Sequence, residues 1–138
     1  MAENTKQIAV GDQLPPHVMG PINRTTLALF AGASGDHNPI HIDIDFARKS
    51  GLDDVFAHGM LSMAYLAQLL TRWVPQSQIR SWEARFTSIT PVGAVVECSG
   101  QVVEIFEVDG EKRARLEIAA AVQGGPTTLA GIAVVALT

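Results

Sequence analysis

Residues 59–73 carry the strongest pattern in the chain. Met60, Leu61, Met63, Ala64, Leu66, Ala67, Leu69 and Leu70 recur so closely that a helix through them has almost no polar face. A helix apolar nearly all round is a buried one. It would run about 22 Å at the usual helical rise, and Pro75 would stop it. Upstream the apolar positions are sparser. Asn23 or Thr25 stands where an N-cap belongs ahead of Leu27, Leu29, Phe30 and Ala33, which predicts a short helix broken by Gly35, Asn38 and Pro39. Asp43 or Asp45 would cap a second short helix over residues 46–49, ended by Gly51. Residues 11–21, with Pro15, Pro16 and Pro21, read as irregular.

From Ile79 onward the period shortens to that of strands. Residues 80–90 carry Trp82, Phe86 and Ile89 and end at Pro91, and residues 95–108 make a second β-rich run. Asp109-Gly110 is a hairpin signal. Residues 113–118 alternate polar and apolar, as in a half-exposed strand. Gly124-Gly125-Pro126 marks a turn before a nearly wholly apolar last strand, 129–137. Helices first and an antiparallel meander second make an α+β chain. The simplest packing sets one long buried helix against a curved antiparallel sheet.

Length and composition narrow this picture. The 138 residues, 47% hydrophobic and 17% charged, suit one soluble globular domain spanning 1–138. A chain of this size buries roughly two-thirds of its unfolded surface, enough for one core. The net charge is −4 and no basic stripe is present, which counts against nucleic acid as a partner. The first ten residues lack the apolar core of a signal peptide. The apolar runs are too short to span a bilayer, so no membrane partner is expected and the cytoplasm is the expected compartment. Cys98 is the only cysteine, so no internal disulfide forms. It lies in a strand-like run with no local base, which reads as a buried, unreactive thiol.

Candidate chemistry gathers in Gly35-Asp36-His37-Asn38-Pro39-Ile40-His41 and in Ala57-His58-Gly59-Met60. Pro39 has no N–H and disfavours the helical region for Asn38, so Asp36 and His41 bracket a turn and can meet near one point. On spacing alone this reads equally as two turn formers and a hydrogen-bonded histidine. A carboxylate and an imidazole held together can also move a proton to and from water. The long helix opens at Gly59, where backbone N–H groups are free to face a ligand oxygen. His58 would lock the adjoining loop through a ring hydrogen bond. His17 and His37 are expected to be exposed. His37, His41, Asp43 and His58 match no recognised zinc spacing, so no metal is expected.

The Gly35-Asp36-x-Asn38-Pro39-x-His41 segment resembles the hydratase motif of the MaoC-like, (R)-specific enoyl-thioester hydratases. Val10-Gly11-Asp12, Ala57-His58-Gly59-Met60-Leu61, Arg85-Phe86 and Pro91-Val92 resemble the same family in the same order, over nearly the whole chain. The stretch Gly59-Met60-Leu61-Ser62-Met63, with Trp73-Val74 after it, is most similar to small single-domain dehydratases that act on acyl carrier protein substrates in mycolic-acid synthesis. The resemblance implies a hot-dog fold, a curved antiparallel sheet wrapped around the central helix. It implies a hydro-lyase: hydration of trans-2-enoyl thioesters and the reverse dehydration of (3R)-hydroxyacyl thioesters. The thioester would be carried on CoA or acyl carrier protein, with no cofactor. Asp36 and His41 would activate the water, Asn38 would hold the loop, and the Gly59 amide would be the oxyanion donor. Some family members carry a hydroxyl residue deeper on the helix. Here Leu66 and Ala67 stand in that stretch, with Ser62 one turn in and Gln68 beyond.

An acyl chain running along the helix would meet Phe30, Phe46, Phe56, Met63 and Leu66. Arg85 would serve in a structural ion pair or meet a phosphate of the pantetheine carrier, and Arg48 and Lys49 are weaker cases of the same kind. Two alternatives stand beside hydration. A hot-dog thioesterase usually needs an acidic residue on or beside the central helix, and residues 59–73 contain no Asp or Glu, which argues against it. A non-catalytic acyl-binding subunit of a heterodimer is the other, against which the intact Asp36/His41 motif argues. The resemblance implies a homodimer or a hetero-oligomer of hot-dog subunits.

Overall fold

A computed structural model describes residues 7–137. The elements in chain order are β1 (His17–Met19), α1 (Arg24–Ser34), a 3₁₀ turn (Pro39–His41), α2 (Ile44–Lys49), α3 (Gly59–Thr71), a second 3₁₀ turn (Gln76–Gln78), β2 (Ile79–Phe86), β3 (Val96–Val108), β4 (Glu111–Val122) and β5 (Thr127–Ala136). All five strands form one antiparallel sheet in the order β1-β3-β4-β5-β2. Helix α3 packs against every strand. Leu61, Leu66, Leu69 and Leu70 meet Val96, Cys98, Leu116, Ile118, Leu129 and Val135 in one core. The sheet wrapped around a central helix is the hot-dog arrangement, as expected.

Local chemistry explains the boundaries. Asp109 and Gly110 both take positive φ, 50° and 80°, and join β3 to β4 as the two-residue turn that matches strand twist. The Asn23 side chain accepts the Thr26 amide and caps α1, while Asp43 accepts the amides of Asp45 and Phe46 and caps α2.

Several expectations need correction. Helix α3 ends at Thr71, two residues short of the predicted end. It is not buried all round: Met60 is 56% exposed, and Ala64 and Gln68 are also exposed. Strand β2 stops at Phe86 instead of running to Pro91: Thr87 still donates to Thr128 O on β5, and residues 88–90 then leave the sheet and pass the start of α3. There Thr90 O accepts the Ala57 amide. Residues 11–21 are not wholly irregular, since they contain β1. His17, expected to be exposed, is 3% exposed. Its ring joins β1 to α3: Nε2–H donates to Gln68 Oε1 at 2.8 Å, and Arg72 donates to Nδ1 at 3.2 Å. The polar turn of α3 thus supplied partners that make a buried imidazole affordable. Cys98 is fully buried, and burial pushes its thiol up to about 12.

Candidate active site

Two consecutive side-chain-capped turns build the site. Gly35, at φ 77°, ends α1 in the left-handed conformation and turns the chain outward. Asp36 Oδ1 then accepts the Asn38 amide at 3.2 Å, and Asn38 Oδ1 accepts the Ile40 amide at 3.1 Å. Asn38 thereby caps the 3₁₀ turn that Pro39 starts and His41 ends.

This path brings Asp36 Oδ2 to 3.8 Å from His41 Nε2. His41 Nδ1–H donates to the Phe56 carbonyl at 2.8 Å. That bond fixes the tautomer in which Nε2 carries the lone pair, because a carbonyl only accepts. The carboxylate is half exposed while the imidazole is 9% exposed. At 3.8 Å the two acceptors are beyond direct hydrogen bonding, but both can accept from one water between them. Such a water would donate both protons and keep a lone pair for attack.

His58 ties this pair to α3. Its Nε2–H donates to the Asp36 carbonyl at 3.2 Å, as expected of a loop lock. Its ring also stacks on His41, with centroids 4.0 Å apart and planes at 28°. Burial, followed by the nearby His41, pulls its pKa below the ordinary histidine value, against the opposing Asp36 contacts. Asp36, His41 and His58 each offer one ligand atom within 4.8 Å of the others. His58 Nε2–H is committed to the Asp36 carbonyl, so only its buried Nδ1 keeps a lone pair. His37 is exposed, and neither it nor Asp43 joins this cluster.

Gly59 follows His58 as the first residue of α3, so its amide has no intrahelical acceptor. A Cβ there would lie 2.7 Å from Phe86 Cε1. Beside it opens a cavity of about 340 Å³ lined by Phe56, Ala57, Gly59, Phe86, Ile89 and Thr90, among others. Of the five acyl-contact candidates only Phe56 lines this cavity. Phe30 packs edge-on against His58, with ring centroids 4.9 Å apart. Phe46 is 41% exposed on α2, Met63 is half-buried, and Leu66 is fully buried in the core. Phe86, Ile89 and Thr90 were missed because the strand was expected to continue to Pro91. The mixed Thr87-Ser88 step is the signal that the chain leaves the sheet after Thr87.

Arg85 does not reach this site. It lies on the opposite face of β2 from Phe86 and lines a separate depression of about 850 Å³ with Glu83, Ser99, Gln101 and Glu117. It makes no ion pair among the described residues. Arg48 donates to the Asp53 carbonyl at 3.3 Å. Asp54, expected with Asp53 to be a solvated loop pair, instead pairs with Arg24 at 2.5 Å. Among the described residues no helix is long and apolar enough to cross a membrane.

Comparison with known proteins agrees with this fold. The family model described as "MaoC like domain" matches residues 5–123. The (R)-hydratase of A. caviae involved in PHA biosynthesis superposes with a TM-score of 0.83 at 26% identity, covering 96% of this chain and 99% of that one. The R-hydratase PhaJ1 of Pseudomonas aeruginosa does so at 0.81 and 27%, covering 94% and 82%. The ChsH1-ChsH2 complex of Mycobacterium tuberculosis shares the fold at 20% identity, a TM-score of 0.79, and coverage of 94% and 98%. Among curated sequences, fatty acid synthase subunit beta of Saccharomyces cerevisiae is 30% identical over 83% of this chain, which spans 5% of that subunit. The (R)-specific enoyl-CoA hydratase of Rhodospirillum rubrum is 37% identical over 39% of this chain and 38% of its own length. The 3-hydroxyacyl-thioester dehydratase Z of Mycobacterium tuberculosis is 25% identical over 84% of this chain and 82% of its own. The chain belongs to the MaoC-like dehydratase domain family.

Proposed function

We propose that this chain adds water across the double bond of a trans-2-enoyl thioester to give the (3R)-hydroxyacyl thioester, and catalyses the reverse dehydration. The observation that carries this reading is the convergence of Asp36 Oδ2 and the bare His41 Nε2 on one solvent-open point. Water held there adds its hydroxyl to C3 while its departing proton passes to the Asp36/His41 pair. C2 takes a proton from the same pair, so the enzyme ends as it began. Negative charge grows on the thioester oxygen as the enolate forms. The free amide of Gly59 at the start of α3 supports the reading that it receives this charge, with the helix dipole adding to the field. Each acid/base group contributes about 10²–10⁴ in rate. The chemistry needs no cofactor.

The apolar cavity beside Gly59 supports a place for the acyl group. At about 340 Å³ it lies near the lower end of ligand-site volumes, roughly 300–1,000 Å³, which favours a short chain. The test is a chain-length series of trans-2-enoyl-CoA substrates, with loss of enoyl absorbance and product stereochemistry as readouts. Turnover of the crotonyl thioester to the (3R)-product is expected. Thiol release without hydration would instead establish a thioesterase.

The sheet edge supports a second copy as partner. Among the described residues strand β2 pairs only with β5, which leaves its other edge without a partner strand. Antiparallel pairing of two copies about a dyad at Ala84 sets Glu83 opposite Arg85 of the second copy, and the reverse. The same register sets Trp82 opposite Phe86, whose ring is 54% exposed in the single chain. A self-complementary edge favours a homodimer over pairing with a different hot-dog chain.

A further inference from the structure

We propose that His58 is a positioning residue of the reaction, acting through two separable contacts: its ring face on His41 and its Nε2–H on the Asp36 carbonyl. The inference rests on the hydratase reading. The two contacts reach the two groups that handle the water, and they come from the residue directly before the Gly59 amide. The 1%-exposed His58 ring is held between His41 at 4.0 Å and the edge of Phe30 at 4.9 Å, so it has one orientation. His58 O accepts the Leu61 amide at 3.0 Å and closes the first turn of α3. One residue therefore sets the distance between the Asp36 loop, the His41 ring and the start of α3. Movement of any of them changes where the water sits relative to the thioester.

The protonation state follows from the contacts. A carbonyl can only accept, so Nε2 carries the hydrogen and Nδ1 is a bare lone pair. That Nδ1 is buried without a protein partner. An added proton there would have no protein acceptor among the described residues. The titratable groups around His58 are Asp36 and His41, and the remaining ring neighbour, Phe30, carries no charge. His58 therefore stays neutral and supplies no proton itself. Its orphaned nitrogen makes the ring dispensable as an acid or base but not as a wedge.

Two variants separate the contacts. His58→Phe keeps an aromatic face and loses the N–H, while His58→Gln keeps a donor and loses the face. Each is expected to lower kcat for crotonyl-CoA hydration about 10- to 100-fold, the scale of a sub-ångström to 1 Å displacement of reacting groups, with KM nearly unchanged. In a His41→Ala background the same substitutions should cost little more, because Asp36 and His41 act on the water as a unit and that unit is already broken. Unchanged kcat, a loss confined to KM, or full additivity with His41→Ala would overturn the proposal. Nitrogen NMR of the wild-type ring decides the case if both variants unfold. A neutral Nε2–H tautomer from about pH 5 to about pH 8 supports the proposal, and an Nδ1–H tautomer or an imidazolium overturns it. Absence of hydratase activity in the wild type would sink the hydratase reading while leaving the tautomer readable.

Discussion

Replacing Gly59 with alanine tests the geometry around the proposed oxyanion donor. Gly59 is helical and has no positive φ, so its backbone accepts any residue. The constraint is space. The new methyl would sit 2.7 Å from Phe86 Cε1 and 3.0 Å from Cδ1. Carbon atoms are at ease at about 3.5–4.0 Å, so the ring or the start of α3 must retreat by about 1 Å. Alanine suits a helix better than glycine by about 1 kcal/mol, which offsets part of the cost of moving the ring. Thermal stability should therefore change little. Activity should not be spared, because the methyl and the moved ring both intrude on the cavity beside the amide. A 1 Å misplacement costs about 100-fold, or about 2.7 kcal/mol at 1.36 kcal/mol per tenfold. Hydration of crotonyl-CoA should show that loss in kcat/KM with the melting temperature near wild type. Adding Phe86→Val removes the ring atoms in conflict and should recover at least part of it. Wild-type kcat/KM in Gly59→Ala, or no recovery in the double variant, would refute the reasoning.

Other parts of the structure make their own predictions. Leu66→Ala should lower stability by about 2–5 kcal/mol, since the side chain is fully buried, and should leave KM for crotonyl-CoA near wild type; denaturant melts and kinetics check both. Hydrogen bonds from Arg80 and then Arg113 hold the Glu111 carboxyl at about 2, below its ordinary value of 4.5. A depressed carboxyl stabilises the fold above its unfolded pKa and loses that effect as pH falls through the folded one. The melting-temperature gap between wild type and Glu111→Gln should thus be full at pH 7 and close between pH 4.5 and about 2. For the edge pairing, Glu83→Arg or Arg85→Glu alone places like charges opposite each other and should weaken the dimer by on the order of tenfold. The double charge swap should restore it in sedimentation measurements, and failure to restore it would refute the register.

The helix and the motif were the most legible features of the sequence. The apolar run starting at Gly59 and the Asx-Pro-His turn are local patterns whose physics is nearly complete within a few residues. The Asn23 and Asp43 caps were readable for the same reason. The errors lie where tertiary partners decide. His17 is buried because Gln68 and Arg72, a turn apart on α3, satisfy both ring nitrogens, and no local pattern announces that. Strand β2 ends early because Thr90 binds the segment before α3 instead of continuing the ladder. Arg85 and Phe86 are neighbours in sequence, yet strand alternation sends them to opposite faces, so a shared motif did not mean a shared site. The acyl-contact candidates were chosen for apolar character, which cannot distinguish the core position of Leu66 from the cavity wall at Phe56.

Hydration of crotonyl-CoA by Asp36→Asn, His41→Ala and the double variant, with the fold monitored by circular dichroism, tests the central claim most directly. If Asp36 and His41 act together on one water, each single variant loses about 10²–10⁴ in kcat. The double variant then falls little further, because groups acting as a unit are not additive. Near-normal turnover in either folded single variant would contradict it.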